Sequence, residues 1–180
     1  MPQTEQVTLE QMLAARDNKA KRQSELVSQY GLPLVSLTVN VPGSRKKTPA
    51  SKKAFQAGYQ ELLRRLSERG LVPVYNETHD NATGYEAYVV VNLSGSKLKE
   101  LTVQIENTHP LGRLLDYDII GRDGAAISRK SLGYSERRCF LCNEIAHACA
   151  RNRTHSMAEL YAKIDSMIAL YAASGPQQST

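Results

Sequence analysis

Two aspartates, Asp116 and Asp118, stand two residues apart in the stretch HPLGRLLDYDII, which runs from His109 to Ile120. Their neighbours are mostly apolar, so the stretch reads as a strand. In a strand, residues two apart project from the same face, about 7 Å apart along the backbone. Tyr117 then points the other way. Two carboxylates aimed at one spot repel, and one takes up a proton unless a cation sits between them. Hard divalent ions such as Mg2+ prefer oxygen sites of that kind. An ion held there neutralises phosphate oxygens and a departing pyrophosphate. Just upstream, Gly112 permits close backbone approach, and Arg113 carries a planar fork that matches a phosphate. The competing reading is an edge strand whose alternate face is merely solvated.

Basic residues recur around this stretch. The loop PGSRKK (42–47) follows a strand and carries Arg45, Lys46 and Lys47. Loops after strand ends are common phosphate sites. Arg129 lies downstream, and Arg137, Arg138, Arg151 and Arg153 flank three cysteines, Cys139, Cys142 and Cys149. Any one of these cations also fits a solvated surface. Read as a helix, the cysteine segment places its thiols on one side with Ile145 and Ala146. Arg137, Glu144, His147 and Arg151 then share another side. On that wheel His147 is turned away and the thiols have no fourth ligand. They read as small apolar core residues, with a zinc site and a redox Cys-x-x-Cys pair as the other readings. His155, just before a helix cap, is either a proton carrier or structural.

The elements that must position these groups can be read along the chain. Thr8 and Gln11 have capping-box form and open a helix over 8–30, which Gly31 ends. LPLVSLTVNV (32–41) is apolar and β-branched and reads as a buried strand. A helix follows over 51–69, with Phe55, Tyr59, Leu62 and Leu66 at helical spacing. LVPVYNET and YEAYVVVN read as a hairpin, SGSKLKELTVQIENTH as a helix, LGRLLDYDII as a strand and AAISRK as a last short strand. Ser156 and Glu159 form a second capping box. The order over 32–130 is therefore β-α-β-β-α-β. That predicts an α+β fold of the split βαβ, ferredoxin-like kind: a mixed or antiparallel sheet with helices on one face. The whole, 1–180, reads as a single domain. An N-terminal helix (8–30) and a C-terminal helical pair (136–173) flank the core, and 174–180 reads as a frayed tail.

Composition bounds the function classes. The chain has 180 residues, 23% charged and 41% apolar, with a net charge of +5. It has no long apolar run and no signal-peptide layout at its N-terminus. The odd cysteine count argues for free thiols, so a cytoplasmic location is expected. The positive charge favours an anionic partner. A nucleic-acid binder would also be basic, but it should interleave aromatic and basic residues on one strand face. With two Phe and no Trp there is no such strand. A zinc-stabilised interaction module is the other alternative.

Longer strings carry a family resemblance. HPLGRLLDYDII, ISRKSLGYSERRCFLC and ACARNRTHS, together with LAARDNKAKRQSELV, LTVNVPGSRK, TGYEAYVVV and KLKELTVQIE, resemble the holo-citrate lyase synthase family. These are the apo-citrate lyase phosphoribosyl-dephospho-CoA transferases. The most specific pieces are G-R-x-x-D-x-D and R-x-C-x-x-C-x-x-x-A-x-x-C-x-R-x-R-x-H. The resemblance implies a nucleotidyltransferase-type reaction. Triphosphoribosyl-dephospho-CoA is the donor, a serine of the citrate lyase acyl carrier (gamma) subunit is the acceptor, and pyrophosphate leaves. It implies Gly112, Arg113, Asp116 and Asp118 as the active-site core, with Mg2+ on the two aspartates. It further implies Arg129, Arg138, Arg151, Arg153 and His155 in substrate binding, beside Arg45 and Lys46 of the basic loop. An acid or His155 would deprotonate the carrier serine. Neither nucleic acid nor membrane is an expected partner. The paired acids also resemble those of nucleotidyltransferases at large, whose α/β architecture is the alternative fold. The Gly-Ser helix opener of those enzymes has no near counterpart here, since Gly95-Ser96 lies too far upstream.

Overall fold

The computed structural model describes residues 6–175. Thr8 and Gln11 close the expected capping box and start α1 (Leu9–Tyr30), and Gly31 ends it in the left-handed conformation at φ 62°. The β-branched run gives β1 (Leu34–Val39). Thr48 caps α2 (Pro49–Ser67) two residues before the expected start, with Pro49 at the first helical position, where its missing N–H is harmless. The hairpin pairs β2 (Tyr75–Asn81) with β3 (Gly84–Val90). Leu71–Val74 stays outside it, leaving Val72 and Val74 exposed. Then come α3 (Gly95–Thr108), β4 (Leu115–Ile120) and the short β5 (Ala126–Ile127).

The sheet order is β2-β3-β1-β4-β5, with every neighbouring pair antiparallel. Its first four strands have the split βαβ arrangement, so the α+β expectation holds and the α/β alternative does not. The pleat makes two faces. One carries Val35, Leu37, Val89, Leu115, Tyr117 and Ile119, buried under Phe55 and Leu62 of α2 and Leu98, Leu101 and Ile105 of α3. Each such side chain contributes roughly 1.5–3 kcal/mol when fully buried.

The other face is not bare, as helices on one face alone would leave it. Leu26 and Val27 of α1 cover Leu34, Tyr88, Val90 and Ile120. The apolar stripe of α1 is short, so it seals only that end of the sheet, and the other end stays polar. A further layer forms where α5 (Met157–Ala173) lays Ile164 and Ile168 against Ala54, Ala57, Leu111 and Leu114.

Two local readings change. A single 3-10 turn, Gly112–Leu114, precedes β4. The cysteine segment is not one helix from 136. It is helical only over α4 (Ala146–Asn152). Before it, Arg138 and Ile145 pair across an isolated antiparallel bridge. The Cys139 N–H donates to the Glu144 carbonyl at 2.7 Å, and the Ala146 N–H to that of Arg137 at 2.9 Å. Asn143 turns the chain at φ 59°, a left-handed conformation that Asn tolerates. Cys139 and Cys142 therefore lie in a hairpin turn, and no single wheel holds all three thiols. Among the described residues, no helix is long and apolar enough to cross a membrane. Of the expected tail, 176–180 lies outside the described residues.

Candidate active site

Strand register assembles the polar end of the second face. Asp116 lies beside Thr38, then Glu86 and His79; Asp118 lies beside Ser36, then Tyr88 and Glu77. Both aspartates project together, as their spacing requires, and Tyr117 is buried on the opposite face. The Asp116 and Asp118 side chains are 45% and 44% exposed. Lys19 of α1 donates to Asp118 Oδ2 at 2.7 Å, and Arg137 Nη1 to Asp116 Oδ1 at 3.2 Å. Burial and then the Asp118 charge hold the Asp116 carboxyl above its ordinary range, with Arg137 and Lys19 opposing them. Further along the same face, Arg22 grips Glu77 through Nε at 2.6 Å and Nη2 at 3.0 Å. That guanidinium draws the Glu77 carboxyl down to about 2.

The outer edge of β4 is held by side chains. The Tyr117 N–H donates to Glu106 Oε1 at 3.1 Å, and Lys99 Nζ donates to the Tyr117 carbonyl at 2.9 Å. Arg137 Nη2 donates to the carbonyls of Leu115 at 2.7 Å and Arg113 at 3.0 Å. Glu106, buried on α3, also accepts from Arg129 Nε at 3.1 Å. Arg113 donates to the carbonyls of Arg138 and Cys139. Arg113, Arg129, Arg137 and Arg138, with Glu106 and Glu136, surround a hollow of about 100 Å³. On the other flank, a cleft of about 500 Å³ opens between α1 and the β2–β3 hairpin, lined by Asn18, Arg22, His79, Glu86 and Tyr88 among others.

Of the residues singled out from the sequence, Arg113, Asp116, Asp118, Arg129 and Arg138 come together at or beside β4. The others do not join them. Gly112 is buried against the protein itself: a Cβ there would sit 2.3 Å from the Glu106 carbonyl oxygen. Arg45 lies over the Tyr161 ring at 5.4 Å. Lys46 Nζ donates to the Val41 carbonyl at 2.5 Å, and burial lowers its ammonium pKa. Their loop leaves the same end of the sheet as Asp116, since the Asn40 N–H donates to the Leu114 carbonyl at 2.8 Å. Arg151 and Arg153 are exposed on α4 and its C-cap.

His155 stands with the thiols rather than with the acids. Ligand atoms of Cys139, Cys142, Cys149 and His155 all lie within 4.8 Å of one another. Burial opposes ionisation of Cys139, but N–H groups of Leu141 and Cys142 outweigh it and bring the thiol to about 7. The Cys142 thiol, then burial, push Cys149 up to about 11.

Glu106, Lys99 and Lys19 are absent from the sequence reading, and Arg137 appears there only as a flanking cation with no role in the site. Lys99 and Glu106 sit seven apart on the buried stripe of α3. Two charges on an otherwise apolar helix face are a signal that can be read without coordinates. Arg137 needed the hairpin to be recognised, because alternation there turns Arg137 toward β4 and leaves Arg138 exposed.

A family model described as apo-citrate lyase phosphoribosyl-dephospho-CoA transferase matches residues 7–171, from the start of α1 almost to the end of α5. The chain belongs to this family. A Vibrio cholerae serotype O1 protein named "Probable apo-citrate lyase phosphoribosyl-dephospho-CoA transferase" is 41% identical over 162 residues, covering 89% of this chain and 91% of the relative. The Citrobacter koseri protein named as that transferase is 31% identical over 162 residues, 90% of this chain and 88% of its own length. One from Escherichia coli is 30% identical with the same coverage.

Proposed function

We propose that this chain transfers the phosphoribosyl-dephospho-CoA group from triphosphoribosyl-dephospho-CoA to a serine of the citrate lyase acyl carrier subunit and releases pyrophosphate. The observation that carries this reading is the position of Asp116 and Asp118. They lie half-exposed on one sheet face, between a hollow walled by four arginines and an open cleft large enough for a nucleotide arm. Family membership supplies the reaction class.

The pair also suits a hard cation. Burial and then the charge of Asp118 raise the Asp116 carboxyl, and a bound cation would favour the ionised form of both acids. Asp116 and Asp118 would hold Mg2+, and the bound ion would neutralise phosphate oxygens at the bond being broken. The protein's own cations do the rest. Lys19 and Arg137, each already within 3.2 Å of an aspartate, can turn to phosphate oxygens. The exposed Arg138 and the neighbouring Arg113 and Arg129 offer a bed for the pyrophosphate end. The cleft beside Glu86 receives the dephospho-CoA arm, in the same cross-strand row as Asp116. The carrier serine attacks the α-phosphorus in line, its Oγ–P bond forms, and the P–O bond to pyrophosphate breaks. The serine proton passes to a carboxylate of this face, since His155 stands with the thiols. The net charge of +5 steers an acidic carrier toward the site.

The test is to incubate the full chain with apo-carrier, Mg2+ and triphosphoribosyl-dephospho-CoA. The carrier should gain the mass of one prosthetic group with stoichiometric pyrophosphate. Full transfer by both Asp116→Asn and Asp118→Asn, or mass gain without pyrophosphate, would overturn the mechanism.

A further inference from the structure

Cys139, Cys142, Cys149 and His155 sit apart from the acid pair, and the reaction above uses none of them. We propose that these four residues bind one Zn2+ as a closed structural site, and that the ion fixes the hairpin that holds Arg137 against Asp116. The metal claim stands independently of the transfer reaction.

Four observations carry it. The first is convergence. Four ligand atoms within 4.8 Å of one another need only small shifts to match a tetrahedral zinc shell, whose ligand atoms lie about 3.5–4 Å apart. Three thiolates and an imidazole are a soft set that selects zinc over magnesium or calcium.

The second is local geometry. Cys139 and Cys142 bracket a hairpin turn, and the Leu141 N–H donates to Cys139 Sγ at 3.4 Å. Backbone donors of this kind stabilise the charge on a ligating thiolate. Asn143 completes the turn in the left-handed region, and α4 brings Cys149 back, its Sγ 3.2 Å from that of Cys142.

The third is His155 Nε2, which is fully buried and has no hydrogen-bond partner. An orphaned imidazole nitrogen among three thiols has a lone pair to give, and burying it unsatisfied is costly.

The fourth is how little apolar core holds the segment, which is tied to the sheet mainly by polar contacts of Arg129 and Arg137. Between Arg122 and Lys163, Cys139 and Cys149 are the only buried residues. Phe140 and Tyr161 add partly buried rings to the α2–α5 cluster, and Ile127 packs against the main core. A forty-residue stretch with so small a core needs a staple. Binding releases the thiol protons and leaves no open coordination position, so the ion would be structural rather than catalytic.

The consequence for the site runs through the backbone. Arg137 is joined to Ala146 by a hydrogen bond and lies two residues before Cys139. The carbonyls of Arg138 and Cys139 receive Arg113. Fixing this turn fixes both guanidinium groups beside β4.

The experiment begins with metal analysis of the full chain, purified under reducing conditions from zinc-replete cells. About one zinc per chain is expected. Exchange for Co2+ should give the visible bands of a tetrahedral thiolate complex. His155→Ala should lose the metal and become protease-sensitive between residues 128 and 155. His155→Cys should retain the metal, whereas a His155 that only bound substrate or carried a proton would leave the alanine and cysteine variants with equal metal content. Release of the ion by a thiol-blocking mercurial in the wild-type chain gives the same stoichiometry without relying on a variant that folds. A metal-free wild-type chain that binds no Co2+, or a native Cys142–Cys149 disulfide found by mass spectrometry, would overturn the proposal. None of these readouts depends on transferase activity.

Discussion

Asp116 is more basic than an ordinary aspartate because burial, and then the charge of Asp118, disfavour its ionised form, and this has opposite effects on stability and activity. Its folded pKa lies above the unfolded value. The folded state therefore binds that proton more tightly, and the charge costs stability as pH rises through the raised value. Asp116→Asn should melt no lower than the parent at neutral pH, with any gain shrinking in acid, as followed by circular dichroism. The same variant should slow carrier modification by roughly a hundredfold or more, the scale of losing one electrostatic contact to a reacting phosphate. Glu106 matters for stability instead. It is buried, it accepts the Tyr117 N–H, and it neutralises Arg129. Glu106→Gln removes the counter-charge of the partly buried Arg129 guanidinium and should cost about 1–3 kcal/mol in urea unfolding.

The helix that roofs the acids is attached by ion pairs as much as by apolar contact. Arg22 holds the Glu77 carboxyl at about 2, well below an unfolded glutamate. The folded pKa is depressed, so its stabilisation is complete above the unfolded pKa of about 4.5 and is lost as pH falls toward about 2. Glu77→Gln should flatten that acid limb, removing about 1–2 kcal/mol of pH-dependent stability between those limits once the roughly 3.4 kcal/mol of the full shift is reduced for solvent screening. At the junction of α3 and β4, Gly112→Ala drives a methyl into the Glu106 carbonyl. It should destabilise by about 1–3 kcal/mol in the same measurement. Local signals were legible in the sequence. The capping boxes at Thr8 and Ser156 gave both helix starts to within a residue. Thr48 was missed because its partner three residues on is Ser51, not the usual acid or amide. The cysteine segment was misread because a seven-residue helix and a short hairpin do not establish a period. Its fourth ligand, His155, lies beyond that helix, where a wheel does not reach. The aspartate pairing was plain from its spacing, but its cover was not, since Lys19 and Asp118 are 99 positions apart.

For the molecule as a whole, the proposed encounter with the carrier rests on net charge. If the +5 excess steers an acidic carrier, the KM for apo-carrier should rise several-fold as salt shortens the Debye length from about 14 Å to 7 Å. The kcat, set by groups already in contact, should hardly move; equal loss of both would place the effect in the chemistry instead. The saturation of β4 has one more consequence. Arg137, Glu106 and Lys99 occupy groups along its outer side, and two-residue β5 covers the rest. A foreign chain looking for an extended template finds no vacant ladder there. Among the described strands, β2 alone offers a full-length unpaired flank, and it carries Glu77, His79 and Asp80. Fibrillar growth of this protein, if it were provoked, would have a single front, already guarded by charge.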